Sequence, residues 1–317
     1  MRMSTTPPAW HAPHWQRLQQ ALEHQRMPHA LLLLGQGGLG KRAFAQRLVA
    51  RLLCRAPQAG EACGQCHGCR LRLAETHPDL YRLGLAPNRE GKLRSEIVID
   101  QVRAVCEKLT LASQLGGWRV TLIDPADALN AAAYNALLKT LEEPPAAALL
   151  ILLADHPERL PATVRSRCQR VQFQVPVRVE ARSWLDAQGL RGDSALALDA
   201  AEGNPGLAAV YLREGALPRR EAVRSELAQL LAQRADALAL AQSWGQDNPA
   251  QRLLFAAQWL ACELRAHSTG MRGPLAAART PLQLAQWFEQ ANRARELLRG
   301  PLRSDLVLLD FLSLRNA

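Results

Sequence analysis

Residues 31–42 read LLLLGQGGLGKR, an apolar run that leads directly into a glycine-rich loop ending in a lysine. An apolar run of this length is typical of a buried strand, and residues 42–53 continue with the periodicity of a helix. The glycines between Gly35 and Gly40 would let backbone N–H groups wrap phosphate oxygens, and Lys41 would neutralise their outer charge. The stretch therefore predicts a strand, a phosphate-binding loop and a helix, in that order.

One position of this loop departs from a working phosphate site. A Ser or Thr normally follows the lysine and holds magnesium through its hydroxyl, and here Arg42 stands in that place. A second apolar run, residues 120–123, ends at Asp124, the acid that would position the metal. The next residue is Pro125, where a glutamate would orient the attacking water, and Asp127 has the wrong spacing to replace it. These losses predict a P-loop nucleotide-binding fold that does not hydrolyse ATP by itself.

Composition bounds the class of protein. At 317 residues, with 48% hydrophobic and 5% aromatic residues, the chain is expected to be globular and to hold two or three domains. Its apolar runs fall far short of the roughly 20 residues that cross a bilayer, and its start lacks the apolar core of a secretory signal. We therefore expect a cytoplasmic protein without a membrane partner.

The formal net charge of +10 suggests an acidic partner such as nucleic acid, because clustered cations gain affinity by releasing phosphate counterions. Only four of the basic side chains are lysines, namely Lys41, Lys92, Lys108 and Lys139, and the arginines are spread along the chain. A composition bias explains the charge equally well.

Four of the seven cysteines fall in one segment, with the spacing Cys54-x8-Cys63-x2-Cys66-x2-Cys69. Thiolates at this spacing can converge on one ion, and four protein ligands leave no open position for catalysis. We therefore expect a structural zinc. An iron–sulfur cluster is the main rival, although the fourth cysteine and following proline of that motif are missing. Disulfides would need an oxidising compartment, which nothing in the sequence indicates.

Hydrophobic periodicity predicts further strands and helices. Strands are expected at 80–83, 97–99, 120–123 and 149–153, and helices at 100–112, with Asp100 as the cap, and at 130–141. Strands that alternate with helices predict a parallel α/β sheet. Beyond Phe173 the strand pattern stops, and the remaining helices are expected at 180–188, 194–201, 205–213, 221–233, 252–267, 280–298 and 304–314.

Several short motifs occur in an order that resembles the clamp-loader ATPases of the AAA+ class. They are PHALLL at 28–33, the four cysteines, THPD at 76–79, NALLKTLEEPP at 135–145 and RSRC at 165–168. The resemblance covers most of the chain, but in the last third it rests on helical character alone. It implies an AAA+ α/β domain over 1–171 with a zinc-binding insertion at 54–69, a small helical lid domain over 172–216, and an all-helical oligomerisation (collar) domain over 217–317.

The resemblance also implies a function. A chain of this kind would sit in a hetero-pentameric ring of the bacterial DNA polymerase III clamp loader, beside an ATPase subunit and a clamp-opening subunit. Through that assembly it would help load the sliding clamp onto primed DNA. In this family a Ser-Arg-Cys sequence presents an arginine finger to nucleotide on the neighbouring subunit, so Ser166 and Arg167 are the implied catalytic residues in trans. A guanidinium suits this role because it stays protonated and donates in a fixed fork.

Other positions of the family pattern are missing. The sequence GNPGL at 203–207 lacks the arginine by which the lid of an active member senses the γ-phosphate, and no polar sensor can be assigned after the fourth strand. ATP binding at Gly35, Gly40, Lys41 and Asp124 is therefore expected to be weak or absent.

The sequence also suggests a role for two residues of the NALLKTLEEPP motif, and it allows two alternative functions. Lys139 and Glu142 are interpreted as a solvated helix face, with DNA proximity or subunit packing as the alternative. An autonomous ATPase is opposed by the lost hydroxyl, glutamate and sensor arginine. A zinc-dependent DNA-binding module is favoured by the basic net charge.

Overall fold

The computed structural model describes residues 7–88, 90–276 and 279–313. The chain divides into two compact units, one that runs to Gln188 and includes residues 204–207, and a second formed by the rest. The three-domain division remains a prediction, since the helices assigned to the small lid fall in both units. Among the described helices, none combines the length and the apolar character needed to cross a membrane.

The first unit is built on a five-stranded parallel sheet with the strand order β2-β3-β4-β1-β5. The strands are β1 (Ala30–Leu34), β2 (Leu80–Leu83), β3 (Arg119–Ile123), β4 (Ala148–Ala154) and β5 (Gln169–Gln172). Every residue of β1, β3 and β4 is buried, as expected for the central strands of a parallel sheet that is covered on both faces.

Helices cover both faces of this sheet. They are α1 (Ala12–Glu23), α2 (Lys41–Leu53), α3 (His67–Leu73), α4 (Ile99–Thr110), α5 (Ala131–Glu142), α6 (Ala162–Arg165) and α7 (Arg178–Asp186). Alternate side chains of a strand point to opposite faces. Leu31 and Leu33 accordingly belong to one apolar core with α1 and α2, whereas Leu32 and Leu34 belong to a second core with α4 and α5. The first unit is therefore a three-layered α/β/α domain.

The described part of the second unit is helical. It contains α8 (Ser194–Ala200), most of α9 (Pro205–Glu214), α10 (Ala216–Leu231), α11 (Ala237–Gln246), α12 (Pro249–Ser268), α13 (Pro281–Leu297) and α14 (Ser304–Ser313). In its core Trp287 stacks on Phe311 at 5.5 Å between ring centroids and donates its indole N–H to the Phe311 carbonyl at 2.9 Å. The buried Trp244 donates to Glu226 at 2.8 Å, so both indoles of this core are satisfied.

The α/β class and the parallel sheet are confirmed, but two details predicted from sequence are wrong. The segment 97–99 is not a strand, because only Ile97 makes an isolated bridge, to Leu129, before α4 begins. Asp100 lies inside the first turn of α4, where the Val98 N–H instead donates to the Gln101 side chain at 3.1 Å. The strand β5 was not predicted at all. The end of the predicted helix at Leu314 lies outside the described residues.

Candidate nucleotide site and arginine finger

Three strand ends meet at the carboxyl edge of the sheet. The register pairs the last residue of β1 with the last residue of β4, and the last residue of β3 with a residue two positions before the end of β4. The residues that follow these strands, Gly35, Asp124 and Asp155, therefore lie close together. This edge is where ligands bind in open α/β sheets.

Lys41 is buried and turned inward on its own loop. Its Nζ donates to the carbonyls of Gly35 at 2.5 Å and Gln36 at 2.8 Å, and it lies 2.6 Å from Oδ1 of Asp155. Burial alone would raise the pKa of Asp155, but Lys41 and then Arg42 hold that pKa below its ordinary value. Lys41 is therefore held by two hydrogen bonds to loop carbonyls and by an ion pair with Asp155.

Arg42 lies between two carboxylates. Its Nε donates to Oδ2 of Asp124 at 2.8 Å, and Nη1 and Nη2 each lie 3.2 Å from Oδ2 of Asp155. Burial opposes the charge, yet Asp124 and then Asp155 raise the pKa of the guanidinium above its usual range. Because arginine stays protonated in proteins, Arg42 places a fixed positive charge between the two carboxylates.

The glycine-rich loop is enclosed by its neighbours. A side chain at Gly38 would meet Oδ1 of Asn204 at 2.5 Å, and one at Gly40 would meet the His11 ring at 2.7 Å. Both glycines have positive φ, at 88° and 86°, a conformation that other residues rarely adopt. Asn204 also donates from Nδ2 to the Gly37 carbonyl at 2.7 Å. The loop is therefore held by hydrogen bonds and close packing.

A short segment before α1 forms one side of this enclosure. Trp10 donates from Nε1 to the Leu39 carbonyl at 3.0 Å, and Nε2 of His11 lies 3.1 Å from the same oxygen. The His11 ring packs edge-on against Phe44 and Phe173, at 5.5 and 5.4 Å between centroids. Burial lowers the pKa of His11, so the neutral ring is favoured. Sequence reasoning missed this segment, because its prolines and scattered aromatic residues show no periodicity.

A cavity of about 770 Å³ opens beside the loop. Its lining includes His11, Lys41, Arg47 and Trp184. Its volume lies within the range of about 300 to 1,000 Å³ that is common for small-molecule sites. Lys41 and Arg42, which also line the cavity, already have carboxylate partners.

Arg167 lies on the surface, directly after α6. Its Nη1 donates to the Thr163 carbonyl at 2.9 Å, and its Nη2 lies 2.7 Å from Oε1 of Glu142. Ser166 donates its hydroxyl to the same Thr163 carbonyl at 3.1 Å. The next side chain, Cys168, belongs to the apolar core, which fixes this segment to the sheet. Glu142, interpreted from sequence as part of a solvated helix face, is half exposed and forms an ion pair with Arg167.

The four cysteines form one cluster, in which all sulfur atoms lie within 4.8 Å of one another. Sγ of Cys54 lies 3.5 Å from that of Cys63 and 3.9 Å from that of Cys66. A zinc tetrahedron with 2.3 Å bonds needs sulfur atoms about 3.8 Å apart, so these residues fit zinc. The Cys69 backbone N–H chiefly lowers the pKa of the Cys66 thiol to about 6, whereas burial chiefly raises the pKa of the Cys69 thiol to about 12.

The parallel sheet, the glycine-rich loop after β1 and the acid after β3 define a P-loop-type α/β domain of the AAA+ clamp-loader class. A family described as "DNA polymerase III, delta subunit" matches residues 10–176. The DNA polymerase III subunit delta' of Pseudomonas aeruginosa is 39% identical over 239 residues, which cover 74% of this chain and 70% of the relative. The subunit delta' of Escherichia coli is 40% identical over 221 residues, 69% of this chain and 65% of the relative. The chain belongs to the family of DNA polymerase III delta-prime subunits.

The matched region spans about two thirds of the length of these relatives. Among solved structures, a gamma subunit-related protein of Thermotoga maritima aligns over 95% of this chain and 98% of its own, with a TM-score of 0.49 and 16% identity. No function follows from so distant a likeness.

Proposed function

We propose that this chain is the non-hydrolysing delta-prime-type subunit of a DNA polymerase III clamp loader. In a hetero-pentamer with an ATPase subunit and a clamp-opening subunit, it helps load the sliding clamp onto primed DNA. Family membership supports the assembly and the process. The position of Arg42 between two carboxylates is the single observation that carries the loss of hydrolysis.

The proposed loss of hydrolysis follows from charge. A working site needs magnesium next to the acid after β3 and a base that orients water. Here a guanidinium lies 2.8 Å from that acid, Asp124, and Pro125 follows it. The phosphate-binding lysine is engaged by Asp155 and two loop carbonyls. ATP binding is therefore weak or absent, because phosphates would have to displace Asp155 from both cations.

The contribution of this subunit to catalysis is made in trans. Arg167 has a side chain 36% exposed, on a segment fixed to the core by Cys168. In the assembly its guanidinium donates to the γ-phosphate bound by the neighbouring ATPase subunit and stabilises the charge of the transition state. Ser166 holds the turn through its bond to Thr163. The cysteine cluster holds a structural zinc, since four protein ligands close the coordination sphere.

Replacing Arg167 with Ala tests the arginine finger. In the assembly reconstituted with the ATPase and clamp-opening subunits of the same cell, hydrolysis at the site facing Arg167 falls by about 10³-fold, the lower value known for such fingers. Size-exclusion chromatography shows an intact pentamer, while steady-state ATPase and clamp-loading rates fall. Arg170→Ala, an exposed arginine on β5, serves as the matched control and leaves both rates unchanged.

An unchanged ATPase rate with Arg167→Ala removes the finger assignment. The purified chain alone is expected to release no phosphate from ATP. Turnover by the isolated chain that disappears on replacing Lys41 contradicts the proposed loss of hydrolysis and favours an autonomous ATPase.

A further inference from the structure

Glu142 is the last residue of α5, and its carboxylate forms an ion pair with Arg167, the residue proposed above as the arginine finger. Its Oε1 is 2.7 Å from Nη2 of Arg167. The two side chains are 51% and 36% exposed, so the pair lies at the surface, where a neighbouring subunit can reach it. The next carboxylate, Glu143, lies outside the helix as its C-cap and is exposed.

The guanidinium of Arg167 is held at two points. The carboxylate of Glu142 binds Nη2, and the backbone carbonyl of Thr163 accepts from Nη1 at 2.9 Å. The two contacts come from α5 and α6, so together they fix the position of the guanidinium and the orientation of its plane. Two bonds use two of the five N–H groups of a guanidinium, which leaves three for a phosphate.

We propose that Glu142 is a positioning residue for Arg167, holding the guanidinium in the orientation in which it meets the γ-phosphate of the neighbouring subunit. This inference rests on the proposed function of Arg167. A long arginine side chain without this contact samples many rotamers, and ordering it on each encounter slows the reaction. A phosphate carries more negative charge than a carboxylate, and it can be bound by the remaining N–H groups while Glu142 keeps its contact.

The solvent exposure of Glu142 and Arg167 limits how much their ion pair contributes to the reaction rate. An ion pair between half-exposed side chains contributes little, so loss of Glu142 should slow the Arg167-dependent reaction by about three- to fivefold rather than abolish it. The effect should also weaken as salt rises, because a surface charge pair is screened over about 10 Å at 0.1 M ionic strength.

The test compares Glu142→Gln, Glu143→Gln and Arg167→Ala in the reconstituted assembly, together with the double variant of Glu142 and Arg167. The quantity measured is the Arg167-dependent part of the ATPase kcat, which is the part that Arg167→Ala removes. Glu142→Gln is expected to lower it about three- to fivefold at low salt and less at high salt, with KM for ATP unchanged. Glu143→Gln removes the same charge one residue further on and leaves the rate unchanged.

The double variant separates positioning from a general structural effect. If Glu142 acts through Arg167, then Glu142→Gln has no further effect once Arg167 is Ala. A further drop in that background, or an unchanged rate with Glu142→Gln alone, overturns the positioning role and leaves the finger intact. An unchanged rate with Arg167→Ala defeats the finger, and the positioning role with it. Thermal melting of the single variants confirms that each is folded.

Discussion

At the scale of single residues, the charges of the glycine-rich loop and the adjoining strand ends balance one another. Two cations, Lys41 and Arg42, face two carboxylates, Asp124 and Asp155. The sequence predicted that Arg42 cannot hold magnesium, but not that it would contact both acids. Asp155 follows β4, far along the chain, and only the pairing of β4 with β1 brings its carboxylate to the loop.

Replacing Arg42 with Ser tests this balance. Without the guanidinium two carboxylates face each other with one cation fewer, so in magnesium-free buffer the free energy of unfolding should fall by about 1 kcal/mol, as for other half-exposed ion pairs. Millimolar magnesium should restore part of this loss, since carboxylates and a hydroxyl are suitable magnesium ligands. Urea denaturation with and without magnesium measures both effects.

Arg17→Ser, on the exposed face of α1, is the matched control for the loss of a surface arginine. It should show no response to magnesium. An equal gain of stability from magnesium in the wild-type chain would show that Arg42 does not take the place of the metal.

At the scale of helices and strands, prediction succeeded where burial imposes a pattern. The runs that became β1, β3 and β4 are buried on both faces, so β1 and β4 are continuously apolar in sequence and β3 is apolar apart from Arg119 and Thr121. β5 was missed because it is an edge strand whose sequence, QRVQ, buries only Val171. Ile97 is buried and apolar, which suggested a strand, but the helix α4 begins two residues later and leaves room for a single bridge.

The same distinction applies to the candidate site. The loop and the four cysteines were predicted from local spacing, and the roles of Ser166 and Arg167 were predicted only from the resemblance to clamp-loader ATPases. The contacts of Trp10 and His11 with Leu39 join segments nearly 30 residues apart and leave no periodic pattern, so they could not be predicted.

The cysteine cluster joins the end of α2 to α3, and its zinc is proposed to stabilise that junction. Cys66→Ser should lower the zinc content, measured by elemental analysis, from about one ion per chain. It should also lower the melting temperature, because the binding free energy of a structural metal is part of the free energy of folding. Cys262→Ser, a cysteine outside the cluster, should change neither quantity. Normal zinc content in Cys66→Ser would contradict the ligand assignment.

At the scale of the whole molecule, the stability of the first unit is expected to depend on pH through His11 and His14, which pack against Phe44 and Phe173. Burial lowers the pKa of His11 and of His14 below the ordinary value of 6.5. Below pH 6.5 the unfolded chain therefore binds more protons than the folded chain. Stability contributed by these groups is fully present above that pH and is lost as the pH falls toward their folded pKa values.

His11→Phe should reduce this dependence. The substitution keeps an aromatic ring against Phe44 and Phe173 but cannot take up a proton. A single group changes the free energy of unfolding by at most about 1.4 kcal/mol per pH unit, so the variant should lose less stability than the wild type between pH 7 and pH 5. Chemical denaturation at several pH values measures the difference. Identical pH profiles would show that another group, such as the cysteine cluster, governs the acid response.

The pairing of Lys41 and Arg42 with Asp124 and Asp155 has a consequence for how nucleotide affects this chain. A ligand stabilises a folded protein only as far as it binds, by RT ln(1 + [L]/Kd). If ATP binding is weak or absent, as proposed, the fold of this chain should gain little stability from nucleotide. Whatever rearrangement the nucleotide cycle produces in its neighbours would then occur against a partner that keeps one shape throughout.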